Sequence, residues 1–145
     1  MNITPHFSLD GMIFSQTAVR MGLSNAPSPE VLKNLTRLCE TLEKFRAHLG
    51  MPINVSSGYR CPEVNKAVGG SINSAHTKGL AADITVTGIA PRSLAAIFVA
   101  SGIEFDQIIQ EGTWLHVGLS DGPARREVLT AHFAAGKAVT YTKGL

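Results

Sequence analysis

Two short stretches of the sequence gather side chains able to hold a metal ion and move a proton. The first runs Ser74-Ala75-His76-Thr77-Lys78-Gly79-Leu80-Ala81-Ala82-Asp83, and the second Glu111-Gly112-Thr113-Trp114-Leu115-His116. Together they offer two imidazoles and a carboxylate in or beside predicted strands. A neutral imidazole nitrogen and a carboxylate oxygen are good zinc donors. Three such ligands leave a fourth position for water, the arrangement of a catalytic rather than a structural zinc site. Spacing alone also fits a plainer reading. His76 is then a solvated loop residue, Asp83 a hydrogen-bonded residue at a strand start, and His116 one step in the alternation of strand faces.

The pattern Ser-x-His-x-x-Gly-x-Ala-x-Asp is met at Ser74, His76, Gly79, Ala81 and Asp83. Upstream stands Ser57-Gly58-Tyr59-Arg60, and downstream Trp114-Leu115-His116. With these motifs in this order, the chain resembles the zinc D-alanyl-D-alanine carboxypeptidase family of peptidoglycan peptidases. That family includes phage endolysins and vancomycin-resistance dipeptidases and shares its fold with the hedgehog signalling domain. The resemblance runs from about Phe7 to about Tyr141 and includes the connecting stretch Asn65 to Ser71.

The resemblance implies one zinc ion held by His76, Asp83 and His116. A set of two imidazoles and one carboxylate keeps zinc electrophilic, able to lower the pKa of its water toward about 7 and to polarise a peptide carbonyl. It also implies that Arg60 sits at the substrate end of the site, where a guanidinium holds a carboxylate or stabilises an oxyanion. Ser57 and Ser74 are candidate hydrogen-bond donors to substrate, or local loop caps. Trp114 either floors the site or packs in the core.

A general base must take a proton from the attacking water and pass it to the leaving amine. Many family members carry Glu or Asp three residues before the last histidine. Here that position is Thr113, which cannot do this work. The nearest carboxylate is Glu111, with Asp106 in reserve. On one ideal strand an odd offset points Glu111 away from the face of His116. A bulge or turn at Gly112 is the expected remedy. The implied activity is hydrolysis of a stem-peptide bond, either D-Ala-D-Ala or of the L-Ala-D-Glu type. The rival reading, kept alive by Thr113, is a non-catalytic zinc-containing domain of the same fold that binds the wall or serves in a virion.

The elements that must position these residues follow from periodicity and punctuation. Residues 1–28 read as a capped N-terminal segment with Gly22 as a helix stop. Ser28 caps a helix with Pro29 in its first turn. Val31, Leu32, Leu35, Leu38, Cys39, Leu42, Phe45 and Leu49 recur at helical steps up to Gly50 and Pro52. Next come a strand over 53–57, helical turns over 62–68, a loop over 69–74, a strand over 81–86 and a helix over 91–100. Residues 105–110 and 114–119 read as paired strands, and 127–133 with 137–142 as a final hairpin. Helices come mainly first and strands later, which favours α+β over alternating βαβ units. We expect one hedgehog/DD-peptidase-like domain over 1–145, with helices packed on a small, mainly antiparallel sheet.

Composition agrees. At 145 residues the chain is the size of one domain. Its 44% hydrophobic and 17% charged content argues against disorder and coiled coil. A net charge of +2 is too mild for a nucleic-acid binder, yet would not repel an anionic wall polymer. No apolar run nears the roughly 18 residues of a membrane span, and the N-terminus lacks a signal-peptide pattern. The partner expected is a peptidoglycan stem peptide, met by a monomer. The protein is expected to act at the bacterial wall as a phage or prophage lysin, or in the cytoplasm as a dipeptidase. Cys39 and Cys61 read as free thiols.

Overall fold

A computed structural model describes residues 1–145. It opens on a hairpin too short to show a period in sequence, β1 (Asn2–Thr4) and β2 (Phe7–Ser8). Two short helices follow, each started by a serine. Ser8 accepts from Gly11 N ahead of α1 (Leu9–Ile13), and Ser15 accepts from Ala18 N ahead of α2 (Gln16–Met21). The long helix α3 spans Pro29–Leu49. Ser28 accepts from Val31 N, Glu30 lies in the first turn, Arg46 and His48 lie in the last, and Gly50 closes it with φ 73°. Both charge placements complement the helix dipole. The face carrying Leu35, Leu38, Cys39, Leu42 and Phe45 is buried. Each of the large apolar side chains on it is worth about 1.5–3 kcal/mol relative to exposure.

The rest of the chain builds a six-stranded sheet, β3 (Asn54–Ser57), β4 (Ala81–Thr85), β5 (Gln107–Gln110), β6 (Leu115–Gly118), β7 (Glu127–His132) and β8 (Thr140–Lys143). The order is β3-β4-β6-β5-β7-β8. All neighbours are antiparallel except β5 and β7, which run parallel. The hairpin expected after residue 127 forms, and it joins the sheet through a parallel pairing that no local sequence signal marks. Because β6 takes the place between β4 and β5, the free edge of β5 is its far side, and β7 adds there. Helix α4 (Pro62–Ala67) and a 3-10 turn (Ala75–Lys78) lie between β3 and β4, and α5 (Pro91–Ala100) between β4 and β5.

The sheet has two chemically distinct faces. Ala82, Ile84, Leu115, Val117 and Ile108 join the apolar core with Leu38, Leu42 and Phe45 of α3 and Leu94 and Phe98 of α5. The Phe45 and Phe98 rings stack at 4.2 Å. The alternate residues point the other way. Directly paired positions trace a row across this second face: Ser57, Asp83, His116, Ile109, Leu129 and Lys143. Two of the three predicted metal ligands therefore sit side by side on central strands. No helix is long and apolar enough to cross a membrane. Both cysteines are buried free thiols, and burial, with Glu43 and Glu40 nearby, pushes the Cys39 thiol up to about 12.

Candidate metal centre and active site

His76 reaches the same face from the 3-10 turn. Ser74 Oγ accepts from His76 N at 3.2 Å and starts the turn, and Gly79 ends it with φ 73°. The turn is docked on the Arg60 segment and closed at its own end. Arg60 N donates to His76 O at 3.1 Å, and Leu80 N donates to Ala75 O at 3.0 Å. A Cβ on Gly79 would come within 2.9 Å of Val31 O, so glycine also allows the turn to approach α3.

The three donors converge. Asp83 Oδ1 lies 3.3 Å from His76 Nε2 and 3.2 Å from His116 Nδ1. All three ligand atoms fall within 4.8 Å of one another, and the group could hold a metal ion. With zinc bonds of about 2.0–2.1 Å, the corners of a tetrahedron stand roughly 3.3 Å apart, close to both contacts. The backbone prepares the His76 ring. Its Nδ1–H donates to the Gly58 carbonyl at 2.7 Å, which leaves the Nε2 lone pair facing Asp83. A histidine whose other nitrogen donates to a carbonyl is the usual outer-shell arrangement of a metal site. Burial resists ionisation of Asp83, but the His116 and His76 imidazoles outweigh it and hold the carboxyl well below the usual range. Donor set, spacing and tautomer all fit zinc.

The group opens into a cleft of about 390 Å³ whose lining includes Arg60, Ser74, Glu111, Trp114 and Tyr141. Arg60 is half-buried and its Nε has no hydrogen-bond partner. Burial lowers its pKa, while Asp83 and Glu111 act the other way. Ser74 uses its hydroxyl oxygen as the cap described above and still faces the cleft. Trp114 packs against Phe133 with ring centroids 6.4 Å apart. Its buried indole N–H approaches Glu111 and lowers that group's pKa slightly, without completing a hydrogen bond.

Of the bulge or turn expected at Gly112, the structure shows the turn, and it brings Glu111 to the cleft. Glu111 is not on the strand of His116. It continues β5, and Gly112 and Thr113 form the tight turn into β6, with φ 84° at Gly112. The register Gln110 to Leu115 advances one step to Glu111 opposite Trp114, sealed by Glu111 N donating to Trp114 O at 3.0 Å. Trp114 is two residues from His116, so Glu111 shares the histidine's face. Burial and then the charge of Asp83 raise the Glu111 pKa. Both effects make the Glu111 carboxylate a stronger proton acceptor than an ordinary glutamate.

Two sequence expectations are redirected. Ser57 pairs with Asp83 at the end of the edge strand β3 but does not line the cleft. Asp106, the reserve base, borders the cleft with its carboxylate engaged. Arg125 grips it through Nε at 3.1 Å and Nη2 at 2.8 Å, and Arg125 N donates to it at 2.9 Å. Residues that sequence reasoning passed over are the Gly58 carbonyl, Arg125 and Tyr141. A backbone oxygen leaves no residue-type signal, and the strand pattern around Tyr141 does not show that its hairpin borders the cleft.

Comparison with known proteins adds an independent line. No curated protein matches the chain. A sequence model of the family described as peptidase M15 matches residues 5–118. That span carries all three donors together with Arg60 and Glu111, and it ends at the last residue of β6. The sequence match covers most of the chain, and the donors it contains meet at one point in space: this chain belongs to the peptidase M15 family.

Proposed function

We propose that the protein is a zinc-dependent peptidase that hydrolyses a bond in peptidoglycan stem peptides. Membership of a peptidase family supports the reaction class. The convergence of His76, Asp83 and His116 beside a buried carboxylate is the observation that carries the mechanism. Zinc held by those three side chains would supply Lewis acidity, lowering the pKa of water and polarising the scissile carbonyl.

The chain's own residues do the rest. Glu111 accepts a proton from the attacking water at its carboxylate and returns it to the leaving amine. Arg60, whose side chain lines the cleft, donates to an oxygen of the substrate, either the carbonyl as it gains charge or a neighbouring carboxylate. Ser74 can donate its hydroxyl proton while its oxygen caps the turn. The location of Glu111 in the cleft favours an enzyme over a non-catalytic domain of the same fold. Thr113, which suggested the latter, belongs to the exposed turn. We place the action at the bacterial wall.

The decisive experiment treats purified peptidoglycan with zinc-loaded protein and identifies products by mass spectrometry. New amino termini or free D-Ala should appear and vanish with chelator. His76→Ala and His116→Ala should lose both bound zinc and hydrolysis. Stoichiometric zinc in both variants would refute the ligand set. Absence of any chelator-sensitive product would leave the non-catalytic wall-binding reading.

A further inference from the structure

The β7–β8 hairpin lies beyond the span matched to the family and yet walls the cleft. It is firmly tied down. Thr130 Oγ1 donates to Gly144 O at 2.7 Å, Gly144 N donates to Val128 O at 2.8 Å, and His132 Nε2 meets Thr142 Oγ1 at 2.7 Å. Tyr141 is therefore presented by a paired strand rather than a loose tail.

Register places it. Tyr141 pairs with Ala131 across β7 and β8. The parallel register Gln110 to Thr130 advances one step to Glu111 beside Ala131. A second row thus runs across the catalytic face: Trp114, Glu111, Ala131, Tyr141. Tyr141 and Glu111 are two strand spacings apart, roughly 10 Å at Cα, with buried Ala131 between them in the row. Tyr141 is 52% exposed and lines the cleft. No hydrogen bond joins its hydroxyl to Glu111 or to any other residue, so the donor is free. A peptide laid across the strands would meet Arg60 on one flank of Glu111 and Tyr141 on the other.

We propose that Tyr141 is a substrate-binding residue whose phenol O–H donates to a carbonyl or carboxylate oxygen of the stem peptide, beyond Glu111 and away from the metal ligands. Partial burial and the Glu111 charge raise the phenol's pKa, so it remains a neutral donor at working pH. The inference rests on the stem-peptide reading above, and its test separates the two.

Tyr141→Phe keeps the ring and removes the hydroxyl at an exposed site, so the fold should survive. On a defined stem peptide, kcat/KM should fall about tenfold, the loss of one hydrogen bond, and most of it should appear in KM. Bound zinc should be unchanged. The Kd of a stem peptide with a non-hydrolysable scissile bond should rise by the same factor. Wild-type KM and Kd in the variant would overturn the proposal. If the wild-type protein cleaves nothing but binds this peptide through Tyr141, the catalytic reading falls and this one stands. Binding to neither protein removes both.

Discussion

Asp83 and His116 are direct partners across β4 and β6, with Asp83 Oδ1 3.2 Å from His116 Nδ1. Both strands lie inside the sheet, and the opposite face of each is sealed in the core. Two of the three metal donors are thus fixed by backbone pairing, and only His76 depends on a loop. That loop is held by Arg60 N, Ser74 Oγ and the Gly58 carbonyl, so the centre is assembled before any ligand arrives. Preorganisation of this kind leaves little reorganisation for the reaction itself.

Glu111 should separate catalysis from metal binding. Glu111→Gln removes the proton acceptor without touching a donor atom. We expect zinc content to be retained and kcat to fall about 10²–10⁴-fold, the usual scale of general-base loss. Stability should move the opposite way. Burial raises the Glu111 pKa in the folded state, so the folded protein binds more protons than the unfolded chain just above the ordinary Glu value of about 4.3. Wild-type stability is then lost as pH rises through the folded pKa. In metal-free protein the glutamine variant should have the higher Tm at pH 7, and the gain should vanish in acid. Wild-type turnover in the variant would move the base elsewhere.

Asp106 and Arg125 make an opposite pH prediction. The Asp106 side chain is 9% exposed and Arg125 59%. Hydrogen bonds from Arg125 lower the Asp106 pKa, against the pull of burial. This stabilisation is fully present above about pH 3.9, the ordinary Asp value, and is lost as pH falls through the lower folded value. Because Arg125 is largely solvated, Asp106→Asn should cost only about 1–2 kcal/mol at pH 7. The Asp106 carbonyl also accepts from Glu127 N at 2.9 Å, helping to fasten β7 beside β5. Urea unfolding of both proteins from pH 7 to pH 2 should show the curves converging in acid. A constant gap across that range would exclude the ion pair as its source.

What the sequence disclosed, and what it hid, follows from the range of the interactions involved. Helix α3 was legible because its signals are local: Ser28, Pro29, the apolar stripe and Gly50 all act within a turn or two. The β5–β6 hairpin was legible for the same reason. The parallel partnership of β5 with β7 was not, because strand order depends on which edge remains open once β6 has paired. The turn at Gly112 is what the expected bulge or turn became, and it explains how Glu111 reaches the site. The offset from His116 is odd, but the two residues lie on different strands, and cross-strand pairing restores a common face. Ser57 shows the converse: its motif neighbour Arg60 lines the cleft, while Ser57, on the terminal strand β3, does not.

Gly58 joins the metal centre to the N-terminal segment, and its substitution should expose that dependence. Its carbonyl orients His76, and the next amide, Tyr59 N, donates to Met12 O at 2.8 Å. A Cβ on Gly58 would collide with the same Met12 carbonyl oxygen. Since that obstacle is backbone, no side-chain rotation can relieve it, and the segment holding the Gly58 carbonyl must move away from α1. Gly58→Ala should therefore weaken zinc binding about 10–100-fold, the scale seen when outer-shell partners of a ligating histidine are lost, although every ligand is retained. Chelator competition well below the variant's Tm, with circular dichroism confirming the fold, measures this directly. The His76 Nδ1–H resonance should lose its hydrogen-bonded shift in the same sample. A folded variant with unchanged zinc affinity would show that the Gly58 carbonyl does not orient the ligand.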